Sequence, residues 1–111
     1  MRILLLNLGL ETAQEVRQAL SGQVYEIIAD RSLTVDEVLV LSPEVLITEA
    51  MPSDLSCCAL ISQIKACPVP KTLKIVMIVH GGALERARGL DLGADDVVSF
   101  PFESLEFAAK I

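Results

Sequence analysis

The sequence predicts an α/β domain built on a parallel, doubly wound sheet with helices on both faces. Two patterns carry that expectation. Short apolar runs recur along the chain and alternate with longer stretches whose apolar residues return at helical spacing. The apolar runs lack polar alternation, as strands covered on both faces do. Hydrophobic residues make up 52% of the 111 residues, which is enough for a generous core. Aromatics are only 4%, so that core is mostly Leu, Ile, Val and Ala. The length fits one domain.

Ile3-Leu4-Leu5-Leu6 is the first strand. Gly9 follows, and residues 11–20 form a helix with Val16, Ala19 and Leu20 on one face, stopped by Ser21-Gly22. Tyr25-Glu26-Ile27-Ile28-Ala29 reads as the second strand. Thr34 is a helix N-cap with Glu37 at capping-box spacing. That helix ends near Leu41, because Pro43 cannot lie in a helix interior. Val45-Leu46-Ile47 is the third strand, and Pro52-Ser53 marks a loop. Residues 54–66 suit a helix with Leu55, Ala59, Leu60 and Ile64 apolar, broken by Pro68-Val69-Pro70. Ile75-Val76-Met77-Ile78-Val79 is the strongest strand signal. Gly81-Gly82 opens a loop before a helix over residues 83–92 that ends at Gly93. Val97-Val98 is a short fifth strand, and residues 102–111 begin a last helix. That helix has no end signal, as expected of a fragment of a longer protein whose last helix is cut.

The net charge of −6 repels phosphate backbones, so this segment is not expected to bind nucleic acid or anionic membranes. No run approaches a membrane span and no secretory signal is visible, which points to a cytoplasmic protein. Cys57, Cys58 and Cys67 are an odd number, read as reduced, small helix residues rather than a redox or metal site. The single histidine, His80, reads as an exposed loop residue, because no nucleophile stands at a useful spacing. Gly81-Gly82 reads as loop flexibility, since neither a dinucleotide fingerprint nor a P-loop accompanies it.

Four stretches, in order along nearly the whole chain, resemble the bacterial response-regulator receiver family. They are residues 2–6, the stretch from Thr48 to Met51-Pro52, the run Leu90-Asp91-Leu92-Gly93-Ala94-Asp95-Asp96, and Phe100-Pro101-Phe102. The last resembles the family's Lys-Pro-Phe, and the Leu-Gly-Ala-Asp-Asp run is the most specific. The resemblance implies a CheY-like, flavodoxin-like fold with strand order 2-1-3-4-5. It also implies a cis peptide bond before Pro101.

The departures from that family are chemical. Two acidic residues that hold Mg²⁺ in the family correspond to Asn7 and Leu8, and one amide with one alkyl chain cannot supply a magnesium site. Mg²⁺ binding is therefore not expected, and no other cofactor is. The phosphoacceptor Asp falls on Thr48 when Met51-Pro52 is the anchor and on Glu49 when counted from Pro43. A Thr hydroxyl is a poor nucleophile without a base. The family's switch Ser or Thr corresponds to Val79, with His80 the neighbouring alternative, and its Lys to Phe100. Burying Phe100 would contribute roughly 1.5–3 kcal/mol, with Leu8, Val79 and Phe100 expected to pack together where a hydrated ion would sit.

Asp95 and Asp96 belong, by resemblance, to a face made of the fourth helix, fifth strand and fifth helix. There acidic residues pair across a two-fold interface with basic ones; Arg86, Arg88 and Lys110 are the candidate partners, and Glu106 lies on the same expected face. The expected function is an atypical, phosphorylation-independent receiver that signals by protein contact or homodimerisation. It is most like OmpR-type regulators, so DNA would be reached only through an attached output domain. Two rivals remain: a phosphoacceptor using Thr48 or Glu49 with help from Asp54 or Glu11, and a small-molecule sensor using the remodelled pocket. An enzyme is not expected, because no nucleophile, base and orienting group can be assembled.

Overall fold

Five strands, β1 (Arg2–Leu6), β2 (Glu26–Asp30), β3 (Val45–Ala50), β4 (Lys74–Val79) and β5 (Asp96–Ser99), form one parallel sheet in the computed structural model. Their order is β2-β1-β3-β4-β5. The structure describes residues 2–21, 26–30, 34–50, 56–66 and 73–111. Tyr25, the Met51-Pro52 loop, Asp54 and Leu55, and Cys67 with Pro68-Val69-Pro70 lie outside the described residues, as do the side chains of Cys57 and Cys58.

The strands alternate with α1 (Leu10–Leu20), α2 (Val35–Leu41), α3 (Ser56–Ala66), α4 (Ala83–Asp91) and α5 (Ser104–Lys110). Local chemistry sets the ends. The Thr34 side chain accepts from the Glu37 amide while Glu37 returns to the Thr34 amide, which closes a capping box on α2. α5 starts two residues later than the sequence suggests, because the Glu103 carboxylate accepts the Glu106 amide at 2.8 Å and takes the N-cap position. Past α4, Gly93 turns the chain with φ +113°, where a side chain would be strained.

Successive strand residues point to opposite faces, which splits the core into two layers. Leu4, Leu6, Leu46, Ile75, Met77 and Val97 pack with Val38 of α2 and with Ile61 and Ile64 of α3. α4 covers the same face, with Gly89 against Val97 and Met77. Ile3, Leu5, Ile47, Val76, Ile78 and Val98 pack with Val16, Ala19 and Leu20 of α1 and Phe107 of α5 on the other face. The winding direction reverses between β1 and β3. Open α/β sheets form their ligand crevice at such a reversal, outside the carboxyl ends of the strands.

Candidate functional site

The crevice is organised around one buried carboxylate. In β3, Val45 and Ile47 face α1 and α5, and the pleat turns Glu49 the same way. Its side chain is 1% exposed. The Gly9 amide, at the N-terminus of α1, donates to Oε1 at 2.7 Å. The Thr12 hydroxyl, one turn into that helix, donates to Oε2 at 2.7 Å. His80, just past β4, contacts the same Oε2 through Nε2. A negative charge at a helix N-terminus is favoured by the free amides there and by the helix dipole. Burial alone would raise the Glu49 pKa. The Gly9 amide, the His80 and Thr12 hydrogen bonds and the His80 charge together outweigh burial, and hold the carboxyl below its ordinary value of 4.5.

His80 is thus a half-buried ligand of the central carboxylate rather than an exposed loop residue. The expectation failed because His80 and Glu49 lie 31 residues apart, and spacing along the chain gave no sign of the pair. On its other side the imidazole meets Phe100, with ring centroids 5.4 Å apart. Phe100 meets Phe102 edge-on at 5.7 Å, and Phe102 stacks on Phe107 at 4.3 Å. An aromatic string therefore runs from the carboxylate to the buried face of α5.

The other residues singled out from sequence divide between the two faces. Thr48 turns away from Glu49, toward the α2–α4 side with Leu46 and Ala50. It is fully buried, and its hydroxyl has no hydrogen-bond partner among the described residues. Asn7 occupies the left-handed region at φ +57°, which Asn tolerates better than most residues. Leu8 and Phe100 both pack on the α1/α5 core layer, whereas Val79 belongs to the opposite layer. The three do not form one plug, because Val79 points through the sheet. The peptide bond between Phe100 and Pro101 is cis. Thr12 and Gly9 were missed from sequence. The short spacing between Gly9 and the polar Thr12 on an otherwise apolar helix face is the signal that was there to read.

A divalent cation does not fit this arrangement. The chain has no carboxylate at Asn7 or Leu8, and both oxygens of Glu49 are occupied by protein donors. Among the described residues no three His, Cys, Asp or Glu side chains converge to hold a metal.

A second feature lies on the α4–β5–α5 face. A groove of about 230 Å³ is lined by Arg86, Val97, Ser99, Phe102, Glu106 and Lys110, among others. Arg86 donates to the Ser99 hydroxyl at 2.9 Å. Lys110 gives its carbonyl to the Lys74 ammonium. Arg88 and Asp95 are exposed, and the Asp96 carboxylate accepts its neighbour's amide, that of Val97, at 2.9 Å. No helix among the described residues is long and apolar enough to cross a membrane.

Solved structures share this architecture from end to end. A CheY-like protein, TadZ, from Pseudomonas aeruginosa matches with a TM-score of 0.80 at 18% identity, over 99% of this chain and 95% of that one. A response regulator from Desulfuromonas acetoxidans gives 0.72 at 23% identity, over 98% and 91%. The beryllofluoride-activated DrrB receiver domain gives 0.73 at 20% identity, over 98% and 92%. The fold is that of a response-regulator receiver. No family model matches the chain. No curated protein sequence matches it either. On the receiver fold, the Glu49 cluster lies at the crevice where open α/β sheets place their ligands.

Proposed function

We propose that this chain is a receiver-fold signalling domain that works by protein contact and needs no phosphoryl transfer. One observation carries the reading: the acidic side chain in the crevice is already satisfied from within. Glu49 accepts from Gly9 on one oxygen and from Thr12 and His80 on the other, so three of its roughly four acceptor sites are taken and little of the carboxylate is left to attack phosphorus or to hold a metal. The buried carboxylate supplies permanently the negative charge that a phosphoryl group would bring transiently. The positions matching the family's metal-binding acids, Asn7 and Leu8, support the same reading, as does Phe100 in place of a lysine.

The contact surface in this reading is the α4–β5–α5 face. Its groove has an apolar floor and a rim carrying both charge signs, from Arg86 and Lys110 to Glu103 and Glu106. Such a rim sets register and partner choice more than affinity. A second copy of the chain is the proposed partner. An attached DNA-binding domain of the OmpR type would be controlled through that dimer.

The deciding experiment records amide spectra with acetyl phosphate or beryllofluoride in the presence of Mg²⁺. An unchanged spectrum is expected. Saturable shifts at Glu49 and Gly9, or radiolabel retained from a phosphodonor, would replace this reading with that of a glutamyl phosphoacceptor.

A further inference from the structure

The helix that forms one wall of the groove is held by little packing of its own. Among the nine residues of α4, only Gly89 is buried. Leu84 and Leu90 remain 59% and 52% exposed. Gly89 fixes the C-terminal half, where it lies close against Val97 and Met77 and its carbonyl accepts the Ala94 amide at 3.2 Å. The N-terminal half is entered through Gly81, at φ +147°, and Gly82. The side chain immediately before this glycine pair is His80.

His80 is fixed from two directions. Its Nε2 meets Glu49, which is itself held by β3 and by two donors from the start of α1. Its ring leans on Phe100, and through Phe100 on Phe102 and Phe107. Phe102 and Phe107 line the groove, as does Arg86 of α4. The Glu49–His80 contact therefore joins an anchor on β3 and α1 to both walls of the α4–β5–α5 face, beside the Arg86–Ser99 hydrogen bond that ties α4 to β5.

We propose that the Glu49–His80 contact is an internal latch that sets how firmly the α4 wall of this face is held. The proposal rests on the reading of that face as the contact surface. Opening the latch frees the entry to α4 at Gly81-Gly82 and leaves α1 and the sheet in place, because neither depends on His80 for its packing. Elements with few buried contacts open locally at a lower free energy than the whole domain. α4 is such an element.

Amide hydrogen exchange on the dilute protein tests the latch. In His80→Ala, the amides of residues 83–91 are expected to exchange about tenfold faster or more, while those of residues 10–20 stay within about twofold. His80→Gln, whose amide can still donate to Glu49, is expected to restore most of the protection. His80→Asn, too short to reach, serves where the Ala variant does not fold, and is expected to behave as Ala. Unchanged exchange in α4, or equal acceleration in α1, α4 and the sheet, overturns the latch. Sedimentation of the same variants at high concentration keeps the two ideas apart. Loss of α4 protection in a chain that never self-associates sinks the contact reading alone. Self-association with α4 exchange indifferent to His80 sinks the latch alone.

Discussion

Asp95 and Ile75 exchange two hydrogen bonds. The Asp95 amide donates to the Ile75 carbonyl at 2.8 Å, and the Ile75 amide donates to Asp95 Oδ2 at 2.7 Å. The side chain thereby replaces a missing strand partner at the start of β4, and part of the Leu-Gly-Ala-Asp-Asp run is explained by the fold itself. Asp95→Ala is expected to lower the unfolding free energy by about 1–2 kcal/mol in urea titrations, since it leaves an amide without its partner. Asp95→Asn retains an acceptor and should lose less.

Gly89 gives a sign that helix propensity alone gets wrong. Alanine in a helix interior is favoured over glycine by about 1 kcal/mol. A Cβ here would sit 2.8 Å from Val97 Cγ2 and 3.1 Å from the Met77 sulfur. Val97 is buried and stiff, so the clash costs about 1–3 kcal/mol. Gly89→Ala is therefore expected to melt at a lower temperature than the parent.

Glu49 links stability to acid. Its pKa is lowered in the folded chain, so its contribution is fully present above the unfolded value of 4.5 and is lost as pH falls through the folded pKa. Urea midpoints should drop as the pH is taken below about 4.5, and Glu49→Gln should flatten that dependence. At neutral pH Glu49→Ala is expected to cost about 2–3 kcal/mol, because the Gly9 amide and the Thr12 hydroxyl lose their acceptor in a buried site.

Arg86 probes the groove. It lies on the rim with Glu103 and Glu106, and its guanidinium bonds the Ser99 hydroxyl. Arg86→Glu is expected to weaken self-association about tenfold, equivalent to about 1.4 kcal/mol, in sedimentation equilibrium. Added salt should weaken the parent as well, since the rim charges are solvent-exposed. A reversal that leaves association untouched would place the contact elsewhere.

Much of the scaffold was legible in the amino-acid sequence. The apolar runs of β1, β3 and β4 have no polar alternation, and only strands covered on both faces tolerate that. Thr34 and Glu37 announced the start of α2, and Gly93 the turn after α4. The missing carboxylates at Asn7 and Leu8 were equally plain. These are local matters of residue type and spacing, and a chain displays them before it folds.

Two matters were decided by the tertiary structure. Sequence landmarks on either side of β3 disagreed by one residue, leaving Thr48 and Glu49 as equals. A one-residue shift in a strand exchanges its faces, so only the pleat could turn Glu49 toward α1 and Thr48 to the opposite layer. His80 reached that carboxylate across 31 residues, because parallel β3 and β4 bring their carboxyl ends side by side. The pattern of apolar runs determined what kind of sheet would form, and long-range pairing chose which side chains meet at its carboxyl end.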